Sequence, residues 1–221
     1  MVVNAEQQRE ILNQYGLDML SLCQSQLEKA KNALVNHDTD LAEEVINTEK
    51  RVNVLDLKIE KDCEKFLALY NPVAIDLRFI MALRKINFDL ERIADHAEGI
   101  SRYVIDEKKP LATELLENLK FETMYETITS MFEDITAAYE NKDVKAARKV
   151  FKKDKVLDKI NRKSFKLIEI EIRNNIDITG QALILFSVIK KMERVGDLLK
   201  NIAEEIIFYI EAEVVKHKKK K

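Results

Sequence analysis

The stretch Ile86-Asn87-Phe88-Asp89-Leu90-Glu91-Arg92-Ile93-Ala94-Asp95-His96-Ala97 decides the fold, because its centre returns in near copy 102 residues later. Glu91-Arg92-Ile93-Ala94-Asp95 becomes Glu193-Arg194-Val195-Gly196-Asp197. Positions i and i+4 share one face of a helix, so each copy presents two carboxylates side by side. Around the first copy, Ile75, Phe79, Leu83, Ile86, Leu90, Ile93, Ala97, Ile100 and Val104 recur at alternating fours and threes. Around the second, Leu185, Val188, Met192, Val195, Leu199, Ile202, Ile206 and Tyr209 keep the same spacing. Both are inward-facing seams of long amphipathic helices.

Working outward, the spacing predicts six helices. The first runs from about Glu6 to Leu34 and is broken by Asn36-His37-Asp38, where Asp38 or Thr39 caps the next. The second runs from about Asp40 to Tyr70 and ends at Asn71-Pro72. The third follows at once. A turn over Asp106–Pro110 leads to a fourth helix from Thr113 to Tyr139. Asn141-Lys142-Asp143 breaks the chain at an offset of 105 from Asn36-His37-Asp38. A fifth helix over Val144–Asn174, a loop to Gly180 and a sixth helix over Gln181–Val215 complete the order. The pattern is three helices, a turn, and three helices again. We therefore expect an all-α fold of two tandem three-helix bundles related by internal pseudo-symmetry, residues 1–106 and 107–221.

Composition agrees. The chain has 221 residues with only four glycines and two prolines, and 34% of it is charged, which favours long helices with few turns. No apolar run approaches the roughly 20 residues that span a bilayer. The polar stretch Met1–Glu10 lacks a signal-peptide core, so we expect a cytoplasmic protein. Cys23 and Cys63 lack metal or disulfide spacing and read as reduced core thiols. Net charge is −2, and subtracting the five lysines of Lys216–Lys221 leaves −7 for the body. That basic end suits a solvated terminus or an anionic surface.

The acids sit on the shoulders of the seams, beside Leu90 and Ile93 in one copy and Met192 and Val195 in the other. Ala94 and Gly196 between them let a neighbouring helix or an ion come close. The preceding helices carry Glu49 and Asn53, and at the 105 offset Asp154 and Asp158. Antiparallel packing is expected to bring Glu49/Asn53 towards Glu91/Asp95, and Asp154/Asp158 towards Glu193/Asp197. Carboxylates gathered in this way need cations, basic partners or protons. All-oxygen ligation suits magnesium, calcium, manganese or iron better than zinc or copper. Surface ion pairing through Arg92 and Arg194 is the plain alternative. No Glu-x-x-His pair, phosphate-binding glycine loop or activated nucleophile is visible, which argues against an enzyme. His96 beside Asp95 is the one acid–base candidate, and a neutral packing histidine explains it as well.

With these motifs in view, the chain resembles the PhoU family of bacterial phosphate-uptake regulators. The likeness covers nearly the whole length. Asn71-Pro72-Val73-Ala74-Ile75-Asp76-Leu77-Arg78, Asp89 through Ala97, Met192 through Asp197, and Asn201-Ile202-Ala203-Glu204-Glu205 carry it. The resemblance implies two symmetry-related three-helix bundles with multinuclear metal sites at the repeated acidic motifs. By position it implies Glu91 and Asp95 as ligands of one site and Glu193, Asp197 and Asn201 as ligands of the other. Glu49, Asn53, Asp154 and Asp158 are their partners, and the metal is iron, manganese, magnesium or zinc. It further implies a non-catalytic adaptor that down-regulates phosphate uptake and phosphate-starvation signalling. Its partners would be the ATPase subunit of a phosphate ABC importer and a sensor histidine kinase. We expect a homodimer, peripheral association with the membrane and no direct nucleic-acid contact. A metal-dependent carboxylate-cluster enzyme and a plain helical interaction module are the competing readings. The sequence departs from the family at Ala94, at Gly99 in place of the Asn kept as Asn201, and at Leu198-Leu199. From Asn201 we expect the second site to hold metal more tightly than the first.

Overall fold

The computed structural model describes residues 4–107 and 109–213, so the Lys216–Lys221 end lies outside the described residues. Seven α-helices occur there: α1 (Ala5–Asn36), α2 (Thr39–Tyr70), α3 (Ala74–Asp106), α4 (Thr113–Asn118), α5 (Phe121–Asn141), α6 (Val144–Asn174) and α7 (Thr179–Glu211). A single 3-10 turn, Ile176–Ile178, precedes α7. Among the described residues there is no strand.

The helix ends follow local chemistry. Asp38 accepts a hydrogen bond from the Leu41 amide at 2.9 Å and starts α2. Its counterpart Asp143 accepts from the Lys145 and Ala146 amides at 2.8 and 3.2 Å and starts α6. His37 and Lys142, one residue before these caps, both take the left-handed conformation that closes the preceding helix. Asp38→Ala and Asp143→Ala are each expected to cost about 1 kcal/mol. The check is urea unfolding, with a lower midpoint and an unchanged slope.

One expectation is corrected. The fourth predicted helix, Thr113–Tyr139, is two helices with a break at Leu119-Lys120, where Lys120 has φ of 56°. Leu119 and Phe121 are both buried. Positions i and i+2 point to nearly opposite sides of one helix, so burying both in a continuous helix takes neighbours on two sides, as α7 has where it buries both Ile207 and Tyr209. The break re-aims the chain so that both reach the core. A smaller difference lies at Ile75, which is half-exposed, so the α3 seam begins at Phe79.

Helices α1, α2 and α3 pack on one another, as do α5, α6 and α7, and the two sets meet chiefly through α3 against α7. The resulting architecture is two tandem three-helix bundles with one apolar core running through both. Side-chain pairs along the α3–α7 join show that the helices run antiparallel. The Phe79 and Tyr209 rings meet edge-on with centroids 5.7 Å apart. Next along α3, Lys85 Nζ lies 3.0 Å from the buried Glu205 carboxylate. Last, the Tyr103 hydroxyl lies 2.7 Å from Ser187 Oγ. An offset of 102 carries Lys85 onto Ser187 and Tyr103 onto Glu205. The two contacts are therefore the same place viewed from either repeat, as a pseudo-two-fold through the α3–α7 join requires. Both acidic motifs lie mid-helix, close to that axis.

Candidate metal centre

In the first repeat, α2 and α3 face each other with polar edges. Glu49, Asn53, Asp56 and Glu60 recur every three or four residues along α2, and Asn87, Glu91 and Asp95 every four along α3. Asn53 Nδ2 donates to Glu49 Oε1. Asn87 Nδ2 donates to Asp56 Oδ1 at 2.6 Å and fixes the register of the two helices. Burial, then repulsion from Asp95, Asp56 and Glu49, pushes the Glu91 carboxyl up from its ordinary range. Asp95 is likewise raised, by burial and by Glu98, while Arg92 and Lys191 pull it down. Glu49 thus reaches the field of Glu91 as expected from the sequence. Asp56 and Asn87 join the set, although the sequence reading passed them over. Among the described residues neither Glu91 nor Asp95 forms a salt bridge, and the fields of Arg92 and Lys191 offset their charge only in part.

The second repeat has the same helices and a different balance. Asp154, buried on α6, is raised by burial and by Asp158 and Asp197, and lowered by a hydrogen bond from Lys200. Lys200 Nζ lies 2.9 Å from Asp154 Oδ2 and 2.7 Å from Asp197 Oδ1. Burial opposes the Lys200 charge, yet the bonds to Asp154 and Asp197 outweigh it and hold the ammonium well above its usual value. Arg194 adds a longer contact to Asp197, 3.5 Å, and a 3.9 Å one to Glu193. Asn201 lines a groove with Glu60, Lys85, Phe88, Asp89 and Glu205, on the side where α7 meets α3.

Gly196 is where α7 comes close to α6. A Cβ built there would stand 2.3 Å from Leu157 Cδ1 and 3.6 Å from Asp154 Oδ1. At Gly99 an added Cβ would meet Lys191 Nζ at 2.6 Å, so the glycine makes room for a lysine arriving from α7. His96 is pulled down to about 4 by burial and by Lys191, Arg92 and Arg194, and is neutral at physiological pH. Cys23 and Cys63 are free and buried, and the Cys23 thiol donates to the Leu90 carbonyl at 3.2 Å. Burial raises both thiols, Cys63 to about 12, which disfavours the thiolate form at either. The Asp76–Arg78 segment is held by the fold itself. Arg9 pairs with Asp76 at 3.1 Å, and Arg78 Nε donates to the Tyr209 carbonyl at 3.3 Å.

A profile described as PhoU domain matches residues 17–104 and again 121–206. The chain belongs to the PhoU family. A PhoU homolog of Aquifex aeolicus, a phosphate-specific transport system accessory protein, is 34% identical over 203 residues, with 91% of this chain and 90% of the relative covered. The homolog of Borreliella burgdorferi is 32% identical, with 91% and 92% covered. The Escherichia coli PhoU accessory protein is 28% identical, with 91% and 83% covered. The crystal structure of PhoU from Pseudomonas aeruginosa superposes with a TM-score of 0.85 at 25% identity, covering 95% of this chain and all of that one. That of the phosphate transport system regulatory protein PhoU from Streptococcus pneumoniae gives 0.83 at 28% identity, covering 96% and all. Both PhoU matches contain one copy of the Glu-Arg-x-x-Asp motif and its partner acids.

The donors of the first PhoU repeat suit a hard cation in kind: carboxylate oxygens from two helices, one amide oxygen, and repulsion that a positive ion would relieve. As placed, no three His, Cys, Asp or Glu side chains among the described residues converge tightly enough to hold one ion.

Proposed function

We propose that this protein is a cytoplasmic, metal-binding, non-catalytic adaptor that restrains phosphate uptake and phosphate-starvation signalling. It does so by contacting the ATPase subunit of a phosphate ABC importer and a sensor histidine kinase. The observation that carries the reading is the double PhoU match on a duplicated helical body, whose relatives are named as accessory proteins of a phosphate-specific transport system. Among the described residues no helix is long and apolar enough to cross a membrane, so work at a transporter would proceed through protein contact. Half of the large apolar side chains Val54, Leu57, Phe88 and Phe165 or more is open to solvent, which suits a protein that docks partners.

Glu49, Asn53, Glu91 and Asp95, with Asp56 behind them, would hold the metal. A bound cation supplies the positive charge that this cluster lacks. The side chains themselves do the joining: Glu49 and Asn53 belong to α2 and Glu91 and Asp95 to α3, so shared coordination clamps the two helices. Loss of the clamp would loosen the α2–α3 face without unfolding the core seam behind it.

The test uses a bacterium deleted for its own PhoU protein and supplied with this chain. Phosphate uptake and a phosphate-starvation reporter are followed in phosphate-rich medium. The wild-type chain is expected to lower both, and Glu91→Gln/Asp95→Asn to leave the reporter on. Unchanged uptake and reporter with the wild-type chain expressed and folded would remove the adaptor reading.

A further inference from the structure

The two repeats are not equal in charge. We propose that Lys200 is the resident counter-cation of the second repeat, and that it confines metal binding to the first; the inference rests on the metal reading proposed for the first repeat. In the second repeat the Lys200 ammonium stands 2.9 Å from Asp154 on α6 and 2.7 Å from Asp197 on α7. It therefore makes the helix-to-helix join that an ion would otherwise make. Asp154 is only 6% exposed, so it has little water to replace that partner. A divalent ion entering here must first expel the ammonium, and the expelled charge is tethered a few ångströms away, where it repels the newcomer.

The offset that aligns the motifs places Glu98 where Lys200 stands. The sign is inverted. Glu98 pairs with Arg102, one turn further along α3 and 2.5 Å away, and its field raises the Asp95 carboxyl. From α7, Lys191 lies against Gly99; its field lowers the Asp95 carboxyl, but it forms no salt bridge with Glu91 or Asp95 among the described residues. The first repeat thus gathers Glu49, Asp56, Glu91 and Asp95 with no salt bridge to any of them among the described residues, Arg92 and Lys191 acting only from a distance, whereas the second holds Lys200 in contact with two of its acids. Asn201 alone suggested the opposite order of affinity. A full positive charge on the carboxylates weighs more than one neutral oxygen donor.

The test counts bound manganese(II) by the electron paramagnetic resonance signal of the free ion during titration of chelator-treated full-length protein. Wild type, Glu91→Gln/Asp95→Asn, Lys200→Met and Lys200→Met/Asp154→Asn are compared, with thermal melting alongside. Wild type is expected to bind only at the first repeat and to lose binding in Glu91→Gln/Asp95→Asn. Lys200→Met is expected to gain ions, roughly doubling the count, and to melt earlier when metal-free. Manganese should restore its melting temperature. Adding Asp154→Asn should restore stability without metal and abolish the gain. An unchanged count in Lys200→Met overturns the role of Lys200 while leaving the first site standing. A gain in Lys200→Met with no binding by wild type upholds Lys200 and removes the first-repeat site. No binding by any protein removes both.

Discussion

Gly196→Val should destabilise the protein by about 3 kcal/mol, the upper end for overpacking a core. The reason is the separation of α6 and α7. Even the first carbon of the new side chain would stand 2.3 Å from Leu157 Cδ1, and Leu157 is itself fully buried. The repeats show how the fold handles the same contact with other residues. Ala94 occupies the Gly196 position in the first repeat, and Val52 occupies that of Leu157. The extra methyl on α3 is matched by a smaller side chain on α2. A second substitution, Leu157→Ala, should therefore recover much of what Gly196→Val loses, while Leu157→Ala alone costs about 2–5 kcal/mol as a cavity. Strong coupling in this double-mutant cycle, read by urea unfolding, is the expected result. Additive losses would show that the two side chains do not compete for the same space.

Phe132→Ala should cost about 3–5 kcal/mol through lost burial and the cavity left behind. Phe132 lies on α5 and is 1% exposed. Its neighbours along the same face, Ile128 and Ile135, are completely buried, so the site cannot collapse onto mobile surface groups. For a chain of this length the melting temperature should fall by roughly 10 °C. The circular-dichroism spectrum should keep its helical form below the transition. A fall of only a degree or two would mean that α5 packs far more loosely than its burial indicates.

Much of this was legible in the residues. The alternating three-four spacing of α3 and α7 is insensitive to small errors of boundary, so both seams emerged nearly whole, and the repeated acidic motif fixed their register. The asparagine-to-aspartate breaks located α2 and α6 because their caps act locally. The α4–α5 break was hidden, since Leu119 and Phe121 each look like core residues and neither is a residue type that ends a helix. Lys200 was hidden for a different reason. Its sequence neighbour Asn201 lies at the more obvious i+4 position from Asp197, and the bond to Asp154 depends on how α6 slides along α7. Asp56 and Asn87 escaped because they have no like-for-like counterparts, their aligned positions being Asn161 and Ile189.

The central claim, that the first acidic pair is a metal site of a PhoU adaptor, is tested most directly by elemental analysis. The protein would be purified without chelator or nickel affinity resin, beside Glu91→Gln/Asp95→Asn. The account predicts iron, manganese, magnesium or zinc at stoichiometric level in the wild type, and its loss in a variant that still melts cooperatively. Metal-free wild type, or equal metal in both proteins, would contradict it.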